Sequence, residues 1–106
     1  MYANMRQYRV SPDQLDATMH LADTELADRL SEEPGFVAYE LIASEDGEVC
    51  SMTIFQDRAG AERSQELAAE FVRRHLAGIE IERTGGMTGE VMVSRAREQV
   101  LEPAHH

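Results

Sequence analysis

The segment PGFVAYELIASEDGEVCSMTIFQD, residues 34–57, decides how this chain folds. It holds two runs rich in β-branched and aromatic residues, 36–43 and 49–56, which are typical of strands. The turn between them carries the pair Asp46-Gly47, a strong short-range signal for a tight hairpin. The segment therefore predicts an antiparallel hairpin, entered from a helix that ends at Pro34-Gly35.

Helical patterns flank this hairpin on both sides. Upstream, residues 2–10 indicate a first strand, after which Ser11, Pro12 and Gln14 predict a capping box that opens a helix over 12–31. The apolar residues of this helix recur every three or four positions. Downstream, Asp57 predicts the N-cap of a second helix over 58–77. Residues 79–88 are expected to connect to a last strand over 89–94.

The resulting order is β-α-β-β-α-β, which predicts an α+β, ferredoxin-like fold. Right-handed crossovers place both helices on one face of a single antiparallel sheet with strand order 4-1-3-2. We expect one domain over residues 1–97, followed by a loose C-terminal tail over 98–106, where there is little apolar surface to bury.

Composition excludes several classes of function. The 106 residues carry 20 acidic and 10 basic side chains, so the formal net charge is −10, which disfavours nucleic acid as a partner. No apolar run is long enough to span a membrane. The single cysteine, Cys50, allows no internal disulfide and is consistent with a reducing cytoplasm. The chain is therefore expected to act in the cytoplasm, without a membrane or nucleic-acid partner.

Alternation along the strands assigns the side chains to two faces of the predicted sheet. Cys50, Met52 and Ile54 are uniformly apolar, so we expect that side to lie under the helices. The opposite side is then uncovered, and it holds Asn4, Arg6, Tyr8, Val37, Tyr39, Leu41, Ser51, Thr53, Phe55, Glu90 and Met92. So much apolar area on an exposed sheet favours a second copy that packs sheet against sheet, a homodimer that closes a barrel. The alternative is a monomer with a mixed polar face.

Three motifs carry a resemblance to a known family. EPGFVAYEL, then SMTIFQDRAGAERS, then a helix followed by TGEVMVS, resemble in order and spacing the antibiotic-biosynthesis-monooxygenase family of dimeric α+β barrels, over about residues 2–95. The resemblance implies a homodimer and, as one activity of the family, cofactor-independent oxygenation of phenols and quinols. The family also includes haem-degrading members, an activity that the lack of the family's tryptophan and histidine disfavours in this chain. Phe55 stands where many members have tryptophan, Ser64 where several have histidine, and Asn4 matches the strand-one asparagine of the haem-degrading branch.

Four residues are the candidates for binding a small aromatic ligand: Asn4, Arg6, Tyr39 and Phe55. They would offer an amide, a cation, a phenol and an aromatic wall to a planar oxygenated ring, in a pocket between the sheet and the open end of the helices. Arg6 has an alternative interpretation as a cross-strand ion pair with Glu90. Tyr39, like Tyr8, has an alternative as a packing residue at a dimer contact. No residue is assigned as catalytic.

Other reactive side chains have simpler interpretations. Cys50 is expected to be a buried small hydrophobe, and the chain shows no spacing typical of a metal site, so no metal and no cofactor are predicted. The resemblance to the family therefore implies a monooxygenase-like protein, with cofactor-independent oxygenation of a small aromatic or quinol-type metabolite as its expected reaction. The alternative is a non-catalytic dimer that binds a small ligand or regulates, and a third is a dimer whose lumen is filled by its own side chains.

Overall fold

The computed structural model describes residues 1–96. The strands are β1 (Tyr2–Val10), β2 (Phe36–Ala43), β3 (Glu48–Phe55) and β4 (Ile81–Glu90). The first helical stretch, residues 12–31, consists of a 3-10 turn (Pro12–Gln14), α1 (Leu15–Leu21), a π-helical turn (Ala22–Ala27) and α2 (Asp28–Ser31). The second helix is α3 (Arg58–His75).

The four strands form one sheet of order β2-β3-β1-β4, in which every neighbouring pair is antiparallel. This is the predicted order 4-1-3-2 read from the other edge, and the predicted fold class is confirmed. The tight turn of the predicted hairpin also forms. A Cβ on Gly47 would lie 2.1 Å from the carbonyl oxygen of Val10, and its φ is +96°, so only glycine fits there. The predicted tail, 98–106, lies outside the described residues.

The hydrophobic core lies between the sheet and the two helical stretches. Its buried centre consists of residues from the first helical stretch and from α3 with its following turn: Ala22, Leu26, Leu30, Phe71 and Leu76. Tyr39, Leu41 and Ile81 of the sheet pack against that cluster. Because residues from both helical stretches meet the same sheet face, the other face has no cover within residues 1–96.

The last strand is placed differently from the prediction. The sequence favoured 89–94, whereas β4 occupies Ile81–Glu90 and residues 91–96 lie beyond the sheet. The segment 81–90 contains three glycines and few β-formers, so its intrinsic preference for a strand is weak. Pairing along the whole of β1 satisfies its backbone nonetheless, with a bulge at Thr84 between the pairs Gln7↔Gly85 and Tyr8↔Arg83. Tertiary pairing therefore outweighs local propensity here.

The assignment of the two sheet faces was wrong, because the apolar side of β3 is the open one. Ser51, Thr53 and Phe55 are buried under the helices, while Met52 is 39% exposed. The helix-facing set therefore includes most of the face expected to be open: Asn4, Arg6, Tyr8, Tyr39, Leu41, Ser51, Thr53 and Phe55. Cys50, expected to be buried under the helices, lies with Met52 and Ile54 on the open side and is only half-buried.

One of the two predicted helix caps forms. The carboxylate of Asp57 accepts a hydrogen bond from the backbone N–H of Gly60 at 2.8 Å, which confirms the N-cap of α3. Ser11 makes no such bond to the first helical turn. Gln14 turns away from it, and its side chain instead bonds the backbone of Gly78 and Glu80. The predicted capping box is therefore wrong, and Gln14 links the first helical stretch to the segment that enters β4.

Candidate functional site

A small cavity lies between the sheet and the helices. Its volume is about 40 Å³, which holds a few water molecules and is far below the roughly 300–1,000 Å³ of pockets for drug-sized ligands. Most of its wall is aliphatic or aromatic, and the polar members are Tyr8, Thr18, Tyr39 and Ser51. No carboxylate or imidazole of residues 1–96 lines it. An aromatic ligand therefore requires the wall to move.

Tyr39 brings a phenol to the wall of this cavity. Burial raises the pKa of its hydroxyl, and electrostatic interaction with the nearby Tyr8 and Asp23 raises it further. The hydroxyl is therefore neutral at physiological pH. A neutral phenol can donate a hydrogen bond to a ligand oxygen and can also accept one.

Arg6 is a buried cation behind the same wall. The residue is 8% exposed, and its guanidinium lies 5.7 Å from the centre of the Tyr8 ring. One terminal nitrogen donates to the backbone carbonyl of Gln65 at 3.0 Å, and the buried Nε has no hydrogen-bond partner among the described residues.

The predicted alternative for Arg6, an ion pair with Glu90, does not form. Arg6 lies opposite Gly86 on β4, whereas Glu90 lies opposite Tyr2, four residues before Arg6 in β1. The ion pairs of residues 1–96 involve Arg9, Arg58, Arg63 and Arg74. The guanidinium of Arg6 is therefore buried without a carboxylate in the described chain.

Asn4 belongs to a hydrogen-bonded cluster next to Arg6. It is 3% exposed, and its Oδ1 accepts from Nε2 of Gln65 at 3.2 Å and from Oγ1 of Thr88 at 3.0 Å. Gln65 also donates to Thr88. Gln65 thus holds Asn4 with its side chain and Arg6 with its backbone carbonyl, and it fixes both against α3.

Phe55 lies elsewhere in the interior. It is fully buried, its ring meets that of Phe36 edge to face at 5.8 Å between centroids, and it lies against the backbone of Gly60. It contributes no surface to the cavity that Tyr39 lines. The structure therefore brings Asn4 and Arg6 together through Gln65, places Tyr39 on the adjacent cavity, and leaves Phe55 under the start of α3.

Sequence reasoning missed Gln65, Thr88 and Ser51 as parts of this site. Gln65 is one of several polar residues along α3, and no pattern distinguishes it from the solvent-exposed ones. Thr88 falls in the stretch expected to be a connection. Alternation correctly predicts that Ser51 shares a sheet face with Arg6, and the two are directly opposite in the β1–β3 register. That face was expected to be open, however.

Metal binding and membrane insertion find no support in the described part of the chain. No group of three or more His, Cys, Asp or Glu side chains within residues 1–96 converges as a metal site. None of the helices between residues 12 and 75 is long and apolar enough to cross a membrane.

The fold defines the class of protein: a ferredoxin-like α+β domain whose two helical stretches cover one face of the sheet, the other face being open within residues 1–96. The chain belongs to the antibiotic biosynthesis monooxygenase family, whose sequence profile matches residues 1–69. No protein with a curated description matches it.

Solved structures share this fold at low sequence identity. HapK from Hahella chejuensis superposes with a TM-score of 0.71 at 15% identity, over 92% of this chain and 98% of its own. A dimeric ferredoxin-like protein from an uncultured marine organism gives 0.70 at 16%, over 91% and 98%. SnoaB, a cofactor-independent oxygenase from Streptomyces nogalater, gives 0.62 at 13%, over 88% and 94%. Identities this low establish the fold alone.

Proposed function

We propose that this protein is a cofactor-independent oxygenase of a small aromatic or quinol-type metabolite, bound as an anion between the sheet and the helices. The observation that carries the proposal is the buried guanidinium of Arg6, which has no carboxylate partner in the described chain and lies beside Tyr8 on the cavity wall. Membership of a family of monooxygenases and the likeness to a cofactor-independent oxygenase support it.

A buried charge needs a partner. Moving an unpaired cation out of water costs several kcal/mol. A small domain tolerates that cost only when other interactions compensate it. The single hydrogen bond to the carbonyl of Gln65 compensates part of that cost. A phenolate or carboxylate oxygen near Nε of Arg6 would supply the rest, and the cation would in turn lower the pKa of a bound phenol.

That ionisation is the chemistry a cofactor-free reaction needs. An electron-rich phenolate reacts directly with dioxygen when water is excluded. At an activated CH₂ carbon of the ring system, one oxygen atom of O₂ becomes the new carbonyl and the other leaves as water with the two hydrogens. Carbon loses four electrons and dioxygen gains four, so dioxygen is the only oxidant.

The four candidate residues take different roles in this proposal. Arg6 holds the anionic oxygen, and Asn4 fixes Gln65 and so the site around Arg6. Tyr39, which is neutral, donates to a second ligand oxygen. Phe55 acts from behind: packed against Gly60, it holds the start of α3, and hence Gln65, against the sheet.

A homodimer forms part of the same proposal, now through the face that the structure leaves open. This open sheet face consists of Ala3, Met5, Ala38, Ile42, Cys50, Met52, Ile54 and Met87, with Glu40 and Arg9 among them. Ile42 is 69% exposed and Met87 is 65% exposed in the single chain. Side chains of this kind in contiguous array are typical of a protein interface. Cys50 on that face is a free thiol, and we propose the cytoplasm as the location.

A second function, binding without turnover, is favoured by a specific observation. No carboxylate or histidine of residues 1–96 lines the cavity, so no general base is in place to take the phenol proton. In that case the same residues would sequester a phenolic or carboxylate ligand in a regulatory or carrier dimer.

The test uses 4-nitrophenol, whose phenolate absorbs at longer wavelength than its neutral form. We expect the wild type to bind it and to raise the phenolate fraction at a pH below the probe's own pKa. Arg6→Met should abolish that spectral change, while Arg29→Met, which removes an exposed arginine, should retain it. Absence of binding by a folded wild type contradicts the proposed function.

Oxygen uptake separates the two functions. Quinols and anthrone-type phenols are supplied to wild type, Arg6→Met and Tyr39→Phe in an oxygen electrode. Uptake by the wild type that falls at least tenfold in Arg6→Met supports catalysis. Binding with no uptake above the rate without protein supports the binding module instead.

A further inference from the structure

A wide groove lies outside the cavity, between the first helical stretch and the edge strand β2. Its volume is about 600 Å³, large enough for an aromatic ring system. The groove is lined by Met19, His20, Asp23, Ala27, Tyr39, Glu40, Leu41 and Ala43. β2 is an outer strand of the sheet, so this side of the molecule has no further strand to close it within residues 1–96.

Three side chains separate the groove from the cavity. Met19, Tyr39 and Leu41 line both spaces, so each presents one side to the groove and the other to the interior. The partition is therefore one side chain thick. Met19 is unbranched and half-buried, which makes it the member that changes rotamer most easily.

The helix beside this partition is π-helical. Within the turn Ala22–Ala27, Ala22 and Leu26 face the cavity, whereas Asp23 and Ala27 face the groove. The hydroxyl of Thr24 donates to the carbonyl of His20 at 3.0 Å, next to the place where the α-helical bonding changes. Such turns are uncommon and are frequent at functional sites, because the backbone can change its hydrogen-bond register there.

Charge differs between the two ends of this route. Asp23 and Glu40 place two carboxylates on the groove, which His20 also lines. The interior instead holds the cation of Arg6, which lies behind Tyr8. Two carboxylates disfavour an anion at the groove. The interior favours an anion, because the cation of Arg6 lies there.

We infer that this groove is the entrance and first binding position for an uncharged aromatic phenol, with Met19, Tyr39 and Leu41 as the gate to the interior. The ligand enters neutral, passes between Met19 and Tyr39 as the π-helical turn shifts, and gives its proton to water while the gate is still open, as its oxygen comes close to Arg6. Tyr39 is the specificity-determining residue of the gate, because its ring sets the width and its hydroxyl meets the ligand oxygen. This inference rests on the proposed function.

The experiment measures association and dissociation rates of 4-nitrophenol by stopped-flow quenching of tyrosine fluorescence, at mildly acidic pH. Met19→Ala widens the gate and should raise both rates at least threefold, with the dissociation constant changed by less than about twofold. Ala27→Leu fills the groove and should lower the association rate at least threefold. The matched control is Met92→Ala, the same change at a methionine that is 81% exposed and lies beyond the sheet, which should match the wild type.

The possible outcomes distinguish a failure of the gate from a failure of the proposed function. If the wild type binds the probe but both groove variants keep its rates, the gate is wrong while the proposed function stands. If Met19→Ala unfolds, Ala27→Leu decides alone, since its effect requires only added volume in the groove. A folded wild type that binds no probe overturns the proposed function and this inference with it.

Discussion

Phe55 and Gly60 fit together so closely that a single methyl group would not fit between them. A Cβ on Gly60 would lie 2.5 Å from Cδ2 of the Phe55 ring, and the ring itself is fully buried. The start of α3 is therefore seated directly on the end of β3. This contact sets how near the backbone of α3 comes to the sheet, and hence where Gln65 meets Arg6 and Asn4.

Gly60→Ala should destabilise the protein although alanine is the better helix former. Overpacking costs about 1–3 kcal/mol, and the gain in helix propensity recovers at most about 1 kcal/mol of it. Thermal denaturation should therefore show a lower Tm. Gly78→Ala is the control, because a Cβ there meets no atom within 4 Å. A Tm for Gly60→Ala at or above the wild-type value would contradict the close packing.

Charge on the open sheet face should break the dimer without unfolding the chain. The wild type is expected to sediment at about twice 11.9 kDa, and Met52→Glu at the mass of one chain, because an unpaired buried charge costs several kcal/mol at the interface. Leu41 and Phe55, which the sequence predicts on the open face, face the helices, so a charge there should unfold the protein instead. Ala17→Glu, on an exposed helical position, serves as the control. A monomeric wild type at micromolar concentration would refute the dimer.

Tyr39 should make the protein less stable at strongly alkaline pH. Its folded pKa is raised, so above about pH 10 the unfolded chain releases the phenol proton while the folded chain keeps it. The unfolded state then binds fewer protons, and the free energy of unfolding falls as pH rises. All ten basic residues are arginines, so no lysine titrates in that range. Urea unfolding at several pH values should show a steeper loss for wild type than for Tyr39→Phe, and equal slopes would rule the effect out.

Asn4→Ala should weaken both the fold and the proposed site. The change removes the buried amide oxygen that accepts from Nε2 of Gln65 and from Oγ1 of Thr88, and the two lost hydrogen bonds together cost about 1–3 kcal/mol. Urea denaturation measures that loss. Gln56→Ala removes an exposed amide just after β3 and should cost far less. If the two variants lose equal stability, the cluster around Asn4 does not hold α3 to the sheet.

The sequence by itself determined the order of elements and the way they connect. Three signals depend only on neighbours within a few positions: the turn at Asp46-Gly47, the cap at Asp57 and the apolar periodicity of the helical stretches. The turn, the cap and both helical stretches form in the structure. With two helices and four strands in that order, right-handed connection leaves little choice of topology. The limits of β1 and β2 were predicted to the residue, because aromatic and β-branched runs there end at strong turn signals.

Only the tertiary structure decided which face of the sheet the helices cover, where β4 pairs, and which residues meet at the candidate site. Alternation divides the side chains of a strand into two sets. It identifies the set that faces the core only when the other set is polar enough to face water. Here Met52 and Ile54 are as apolar as a core, while Ser51 and Thr53 are buried on the face that the helices cover. Gln65 is joined to Asn4 across 61 positions, and β4 pairs through three glycines. Contacts of that range depend on the assembled sheet, which no local pattern encodes.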